Sequence, residues 1–393
     1  MNAMNVIEDT AVTAAYKIDP SRGSRDGNVS RQWMSRPDDQ RFLSLDTLAA
    51  HVKNRSSSAV QKIVDVKNIV IEASFADAEK LTLNHEGVNL SPTNWSFGQL
   101  SSLANSPAGY LRKLPASIAA INLQYGLQNL RSENTKLYYD ENELYAATGT
   151  EYGRVLDIEL VNAVQKIAGS GTGETRWKIP GVMDWSTHKH NPFVDPTKDT
   201  TTLYASDRDV FMFLVDDTHP IEIGKLPNGD PDLIFRGFYV WNSEVGSKTL
   251  GISTFMLRGV CQNRNIWGQE DKHSLIIRHS KNAPNRFAQE AEPALLDYST
   301  QSSTGILYNI NLAKSAVVAS NDDERTNYLK TNGFNAKQAQ HIINTVIKEE
   351  DVKPKSIWDF VQGVTAVARD VKHTDERIQL EMLAGKMMSK AIH

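Results

Sequence analysis

Residues 233–257 read LIFRGFYVWNSEVGSKTLGISTFML. Two apolar runs, LIFRGFYVW and KTLGISTFML, flank the connection NSEVGS, which is rich in the Asn, Ser and Gly that turns use. In the first run Phe235, Gly237, Tyr239 and Trp241 alternate with Ile234, Arg236, Phe238 and Val240, and a strand sends alternate side chains to opposite faces. Both faces are largely apolar, which suits a strand inside a sheet that is covered on at least one side. A long antiparallel hairpin is the first expectation, and the rest of the fold is read outward from it.

Two more hairpins are expected upstream. KLYYDENELYAATG, 136–149, alternates on either side of an Asp-Glu-Asn turn, and TLYASDRDVFMFLVDD, 202–217, turns about Ser206 and Asp207. HSLIIRHS, 273–280, reads as a short strand, and another is expected near Ile69–Ala73. Helical spacing lies on both sides. Ser44 caps a helix with Leu45, Leu48, Ala49 and Val52 on one face, prolines punctuate short helices over 91–130, and IELVNAVQKIAG, 158–169, is helical again. Beyond residue 285 helices dominate, including NAKQAQHIINTVIKEE from Asn335 and SIWDFVQGVTAVARDV, which Ser356 and Asp359 cap. The predicted class is α+β: a central twisted antiparallel sheet of β-hairpins over about 136–280, flanked by N-terminal and C-terminal helices. Residues 1–40, with Arg22, Arg25, Arg31 and Arg36, read as a flexible arm; 41–290 as the core domain; 291–393 as a helical segment packed on or beside it.

The chain of 393 residues is 40% hydrophobic and 23% charged, as in globular proteins, and carries a net charge of -4. Any contact with a polyanion must therefore be local. One cysteine, Cys261, excludes an internal disulfide framework and an all-cysteine zinc site. No apolar run reaches the roughly 18 residues that span a bilayer, and the first residues lack the basic-then-apolar order of a signal peptide. A cytoplasmic protein without a membrane partner is expected.

Motifs for catalysis are thin. EVGSKT, 244–249, lacks the adjacent Gly-Lys pair and the preceding glycine of a phosphate-binding loop, and GSGTGET, 169–175, has no lysine. His188, His190 and Asp195 share a loop, but no further ligands and no HExxH accompany them, so no metal site and no cofactor are expected. No GxSxG elbow is present, and Cys261 after a strand reads as a small buried hydrophobe. FGQLSSLANSPAGYLRKL, 97–114, has some character of a helix-turn-helix, yet the short spacing after Ala104 favours an ordinary helical hairpin.

Between 258 and 286 the charge balance changes sign: six basic residues face two acidic ones. Arg258, Arg264, Lys272, Arg278 and Lys281 could neutralise phosphates, with Arg236 and Lys248 on the adjoining hairpin. Tyr239, Trp241 and Trp267 offer faces for unpaired bases, and Asn263 and Asn265 offer amides to base edges or backbone. The plainer alternative seals the rings in the core and pairs the arginines with nearby acids.

RPDDQRFLSLDTLAAHV, NWSFGQLSSLANSPAGYLRKLP, LYASDRDVFMFLVDD, FRGFYVWNSEVGSKTLGISTFMLRGVCQNRNIWG, IRHSKNAPNRF and SIWDFVQGVTAVARD, in this order, resemble the phage- and plasmid-borne family numbered 932 among the domains of unknown function. The resemblance covers about residues 35–390. Through that family's likeness to phage single-strand annealing proteins it implies an ATP-independent protein, assembled as a homo-oligomer, whose hairpin sheet holds a DNA strand in a basic groove. The functional expectation is a mobile-element protein that binds single-stranded DNA and promotes annealing, more plausibly not an enzyme. Its rivals are a metal-dependent hydrolase or nuclease, and a protein-interaction factor acting against host defence or in plasmid maintenance.

Overall fold

The computed structural model describes residues 37–74, 80–130, 134–173, 175–180, 183–184, 189–190, 195–198, 201–216, 218–225, 229–258, 264–265, 274–300, 304–370 and 374–391. The arginine arm expected at the N-terminus lies outside them, apart from its last residues. The strands are β1 (Arg41–Phe42), β2 (Val60–Asp65), β3 (Val70–Ala73), β4 (Leu81–His85), β5 (Val88–Pro92), β6 (Asn134–Tyr139), β7 (Glu143–Thr148), β8 (Trp177–Lys178), β9 (Met183–Asp184), β10 (Lys189–His190), β11 (Leu203–Ala205), β12 (Val210–Asp216), β13 (Ile221–Lys225), β14 (Pro231–Asn242), β15 (Leu250–Arg258), β16 (Arg264–Asn265) and β17 (Ser274–Ile277). The helices are α1 (Leu45–Ser58), α2 (Asn94–Leu103), α3 (Ala108–Leu111), α4 (Ala116–Gln128), α5 (Asp157–Ala168), α6 (Ala283–Arg286), α7 (Glu292–Thr300), α8 (Thr304–Ser315), α9 (Asp322–Thr331), α10 (Ala336–Glu350), α11 (Ile357–Asp370) and α12 (Thr374–Ser389).

The α+β class holds, with the strands divided between two main sheets. The larger is antiparallel, in the order β1-β11-β12-β14-β15-β16, with β8, β13 and β17 paired at its margins. The opening hairpin is its centre: β14 and β15 pair from Ile234↔Arg258 to Trp241↔Gly251. Alternation assigns the faces. Phe238 and Val240 pack with Met212, Leu214, Leu250 and Ile252 under α1, α5 and α7, contacting Leu45, Leu48, Leu160, Val164 and Leu295. Phe235, Tyr239 and Trp241 point the other way into an aromatic layer with Phe211, Phe213 and Phe255. Glycines opposite two of these rings make room for them: a Cβ on Gly237 or Gly251 would stand 2.0 Å from Phe255 or Trp241, the directly paired residues. The C-terminal helices enclose a further core, in which Ile310, Ile342, Phe360, Val361 and Val364 meet Ile221, Ile223, Ile234 and Met256 of the sheet.

The second sheet corrects the expected layout. Hairpin β6–β7 does not join the central sheet; it sits in a six-stranded one of order β2-β6-β7-β5-β4-β3, where β5 and β7 run parallel and the other pairs antiparallel. The N-terminal region, expected to be helical but for one strand, supplies β2 to β5. Those strands are short and half polar, so their alternation is faint in the sequence. A sharper signal is the Glu86–Gly87 turn, with φ of 51° and 84°, the two-residue connection that matches the twist of a hairpin. Helices α2 and α4 cover this sheet through Leu100, Leu123 and Leu127 against Leu83, Leu90, Leu137 and Leu144.

Candidate nucleic-acid interface

The residues expected to bind nucleic acid separate into five groups. Arg236 is fully buried on the helix-covered face of β14, where its Nη2 donates to Asp216 Oδ2 at 3.2 Å, so it cannot reach a ligand phosphate. Tyr239 and Trp241 are 6% and 1% exposed, with ring centroids 5.6 Å apart inside the aromatic layer; a base cannot stack on them without opening the sheet. Strand alternation corrects these assignments: Arg236 falls on the helix-covered face with Phe238, and Tyr239 and Trp241 fall on the other, where Trp241 folds over the opposite Gly251 instead of standing in solvent. Arg258 ends β15, and Arg264 and Asn265 form β16 with Arg264 opposite Leu257. Asn263, Trp267 and Lys272 lie outside the described residues. Lys248, Arg278 and Lys281, thirty-odd positions apart in the chain, are brought together.

Pairing of β15 with β17 is what gathers them. Leu250 pairs Ile277, so the residues just beyond the pair, Lys248 and Thr249 on one strand and Arg278 to Ser280 on the other, meet at the sheet's edge. They line an open pocket of about 460 Å³ with Tyr152 and the Gly246–Ser247 turn. Gly246, at φ 88°, lets the connection fold back so that Ser247 N donates to Ser243 Oγ at 2.8 Å. The EVGSKT loop is thus one wall of a polar pocket, although it has no phosphate-loop sequence.

The floor is a stacked pair. The Tyr152 and His279 rings lie 4.9 Å apart and 24° from parallel. Tyr152 donates its hydroxyl to Ser243 O at 2.8 Å, and His279 Nδ1, 3.1 Å from Gly153 O, must carry a proton because a carbonyl only accepts. Among the described residues, His279 Nε2 is left as a buried acceptor without a partner, and Thr249 Oγ1 is another buried polar atom without one. Burial pulls the His279 ring down to about 4, so it is neutral near pH 7.

Positive charge lies around and beneath this floor. Arg278 and Lys281 are exposed, the latter 3.7 Å from Glu151 in a solvated pair of little energetic weight. Lys136 Nζ donates to Tyr152 O at 2.8 Å, and burial with the nearby Arg154 lowers its pKa. Arg154 is 6% exposed, its guanidinium carbon 4.1 Å from the Tyr138 ring centroid and 5.2 Å from that of Tyr152. It donates to the Glu244 carbonyl, while its Nε and Nη2 have no partner among the described residues.

A buried ionic cluster fixes the other side of the loop. Glu244 accepts from Arg55 Nε, from Tyr138 OH at 3.2 Å and from the Asp157 amide at 2.8 Å. Asp157 takes Arg55 Nη2 and Asn242 Nδ2, each at 2.8 Å. Burial raises the Asp157 pKa, as does the Glu244 carboxylate beside it; burial works against the Arg55 charge, but the two carboxylates outweigh it and hold its pKa up. This cluster joins α1, α5, the second sheet and the end of β14, so the loop is anchored to both sheets.

Sequence reading missed the side of the interface supplied by the second sheet. Ser247 Oγ donates to the Arg208 carbonyl at 3.1 Å, and the Arg208 guanidinium carbon is 5.5 Å from the Trp95 ring centroid. Trp95 Nε1 donates to Val245 O at 3.0 Å, pinning the half-buried ring against the same loop. Asn94 Oδ1 accepts from both Arg208 at 3.4 Å and Arg112 at 3.1 Å, and Arg112 in turn lies 5.1 Å from the Phe97 centroid. Phe97 and Arg112 border a groove of about 390 Å³. The Arg112–Phe97 pair was visible in NWSFGQL and GYLRKL only as separate motifs, because the pairing depends on the turn between α2 and α3, and Arg208 comes to Trp95 from the β11–β12 turn of the larger sheet. Among the described residues no group of three His, Cys, Asp or Glu side chains is placed to hold a metal ion. No family model matches the chain, and no similar curated protein or solved structure is found.

Proposed function

We propose that the chain binds single-stranded DNA along the seam between its two sheets and promotes annealing without ATP. The observation that carries this reading is the convergence of Lys248 and Arg278 on one polar pocket, with Lys281 next to it in the chain, in a molecule of net charge -4. Phosphates would lie on these cations and on Arg208 and Arg112, whose charges the strand would neutralise with release of counterions. Bases would stack at Trp95 and Phe97, the half-buried rings already held under guanidinium groups, in place of Tyr239 and Trp241. Arg258 and Arg264 stand at the far end of β15 and would extend the track. The resemblance to the mobile-element family supports the same reading, and self-assembly would bring two strands side by side.

Titration of a fluorescently labelled single-stranded oligonucleotide tests it. Arg112→Ala combined with Arg208→Ala is expected to weaken binding about tenfold, a loss of about 1.4 kcal/mol. Trp241→Phe, a change sealed in the aromatic layer, should leave affinity unaltered. Undetectable binding at low salt would remove the proposal.

A further inference from the structure

Helix α4 is apolar on both of its sides. It reads ASIAAINLQYGLQ, without Asp, Glu, Lys, Arg or His, and over 94–128 only Arg112 and Lys113 are charged in a chain that is 23% charged. Its packing side buries Ala119, Ala120, Leu123 and Leu127 against the second sheet. The opposite side exposes Ile118 at 47%, Ile121 at 69% and Tyr125 at 71%, three and four positions apart and therefore in one stripe. Two contacts fix the helix in this orientation. Gln124 lies along the edge strand β3, where its Oε1 accepts from Ile71 N at 2.8 Å and its Nε2 donates to Ile69 O at 3.1 Å. Gly126 meets the end of α2 so closely that a Cβ on it would stand 2.3 Å from Ala104 O. The stripe is a held platform, and its exposed side chains take no part in holding it.

At roughly 150–250 Å² for a whole large side chain, the three together present on the order of 350 Å². A patch of that extent commonly marks a contact surface. A stable interface takes about 800 Å² from each partner, about 65% of it apolar in homodimers, so the stripe supplies most of one apolar centre. Ser117, Asn122 and Gln128, exposed beside it, supply a polar rim of groups that both donate and accept. Absence of charge selects the occupant. A helix lying on a membrane carries Lys and Arg on its polar face, and recognition of an unlike protein draws on complementary charge. Against its own copy an uncharged stripe meets no like charge, and groups that both donate and accept pair with themselves across a two-fold axis.

We infer that two copies of this chain associate through α4, antiparallel about a two-fold axis near Ile121 that sets Ile118 of each copy against the partner's Tyr125. The groove bordered by Phe97 and Arg112 is lined by Ala116 and Ala119 of the same helix, so the pair carries one groove on each side of the joined helices. This gives a surface to the self-assembly invoked above, and it needs no bound strand.

Sedimentation velocity of the full chain at micromolar concentration, without DNA, should show a dimer. Ile121→Gln combined with Tyr125→Gln, uncharged changes at exposed positions, should weaken association at least about tenfold while the melting temperature and oligonucleotide affinity hold. Ile121→Lys and Ile121→Glu should each be monomeric alone and associate when mixed, because the two side chains meet at the axis; that restoration identifies the partner as a second copy. A chain that stays monomeric at concentrations on the order of tens of micromolar, or an assembly indifferent to all of these variants, would overturn the inference and leave strand binding in place. A monomer that binds phosphatidylserine vesicles, and loses them in the glutamine variant, would overturn it in favour of a membrane. Association through α4 with no oligonucleotide bound would keep this interface and remove the strand reading.

Discussion

His279 shows at one residue how the pocket is poised. Burial lowers its pKa from 6.5 to about 4, against the Gly153 carbonyl that favours a proton and with Arg154 that opposes one. Below pH 6.5 the unfolded chain takes up a proton that the folded ring refuses. Stability is therefore complete above that value and falls as pH drops toward 4, by about 3 kcal/mol in all. An NMR titration of the folded protein should place the ring's midpoint near 4; a midpoint at the ordinary value would contradict the burial that the stack with Tyr152 imposes. At this scale the sequence was informative about face and silent about partners. Alternation put Arg236 on the same side as Phe238 and Val240, but only the fold brings Asp216 to it. Trp241 reads equally as exposed or buried until Gly251 is seen to be its pair.

Among the elements, β15 redraws the basic strip. Lys248 and Arg258 are ten positions apart, which along a strand is about 33 Å, so charges that look contiguous in sequence lie at opposite ends of β15. Close approach of a second segment completes the pocket end. Gly153 N donates to His279 O at 3.2 Å, and a Cβ on Gly153 would stand 2.0 Å from Ser280 O. Gly153→Ala must push the 278–281 turn away, at a cost of about 1–3 kcal/mol. Urea unfolding should record that loss, and oligonucleotide affinity should fall with it; an alanine tolerated in both assays would refute the packing described. The hairpins and C-terminal helices were legible because their alternation and caps are strong: Asn335 accepts from Gln338 N at 2.9 Å, as its motif suggested. Strand β3 was legible near Ile69–Ala73, whereas β2, β4 and β5 were obscured by length and polarity, and the α2–α3 region hid its role because Arg112 and Phe97 pair across a turn.

For the whole molecule, the ionic cluster about Glu244 is the joint. It ties α1, α5, the second sheet and the loop after β14 at a site closed to solvent, where a charge deprived of its partner is expensive. Glu244→Ala should cost about 3–5 kcal/mol in chemical denaturation, since Arg55 loses a buried carboxylate. A loss below about 1 kcal/mol would place the cluster among solvated surface pairs instead. Nothing in the sequence announced this joint, because its members lie at positions 55, 138, 157 and 244, far apart in the chain.

The central claim is that the pocket cations meet strand phosphates, and the salt dependence of binding measures it most directly. Affinity for a single-stranded oligonucleotide, plotted as log K against log salt, should fall steeply. Lys248→Ala with Arg278→Ala should flatten the slope by roughly 1.4, the contribution of two phosphate contacts at about 0.7 each. An unchanged slope and affinity in the double variant would contradict the account.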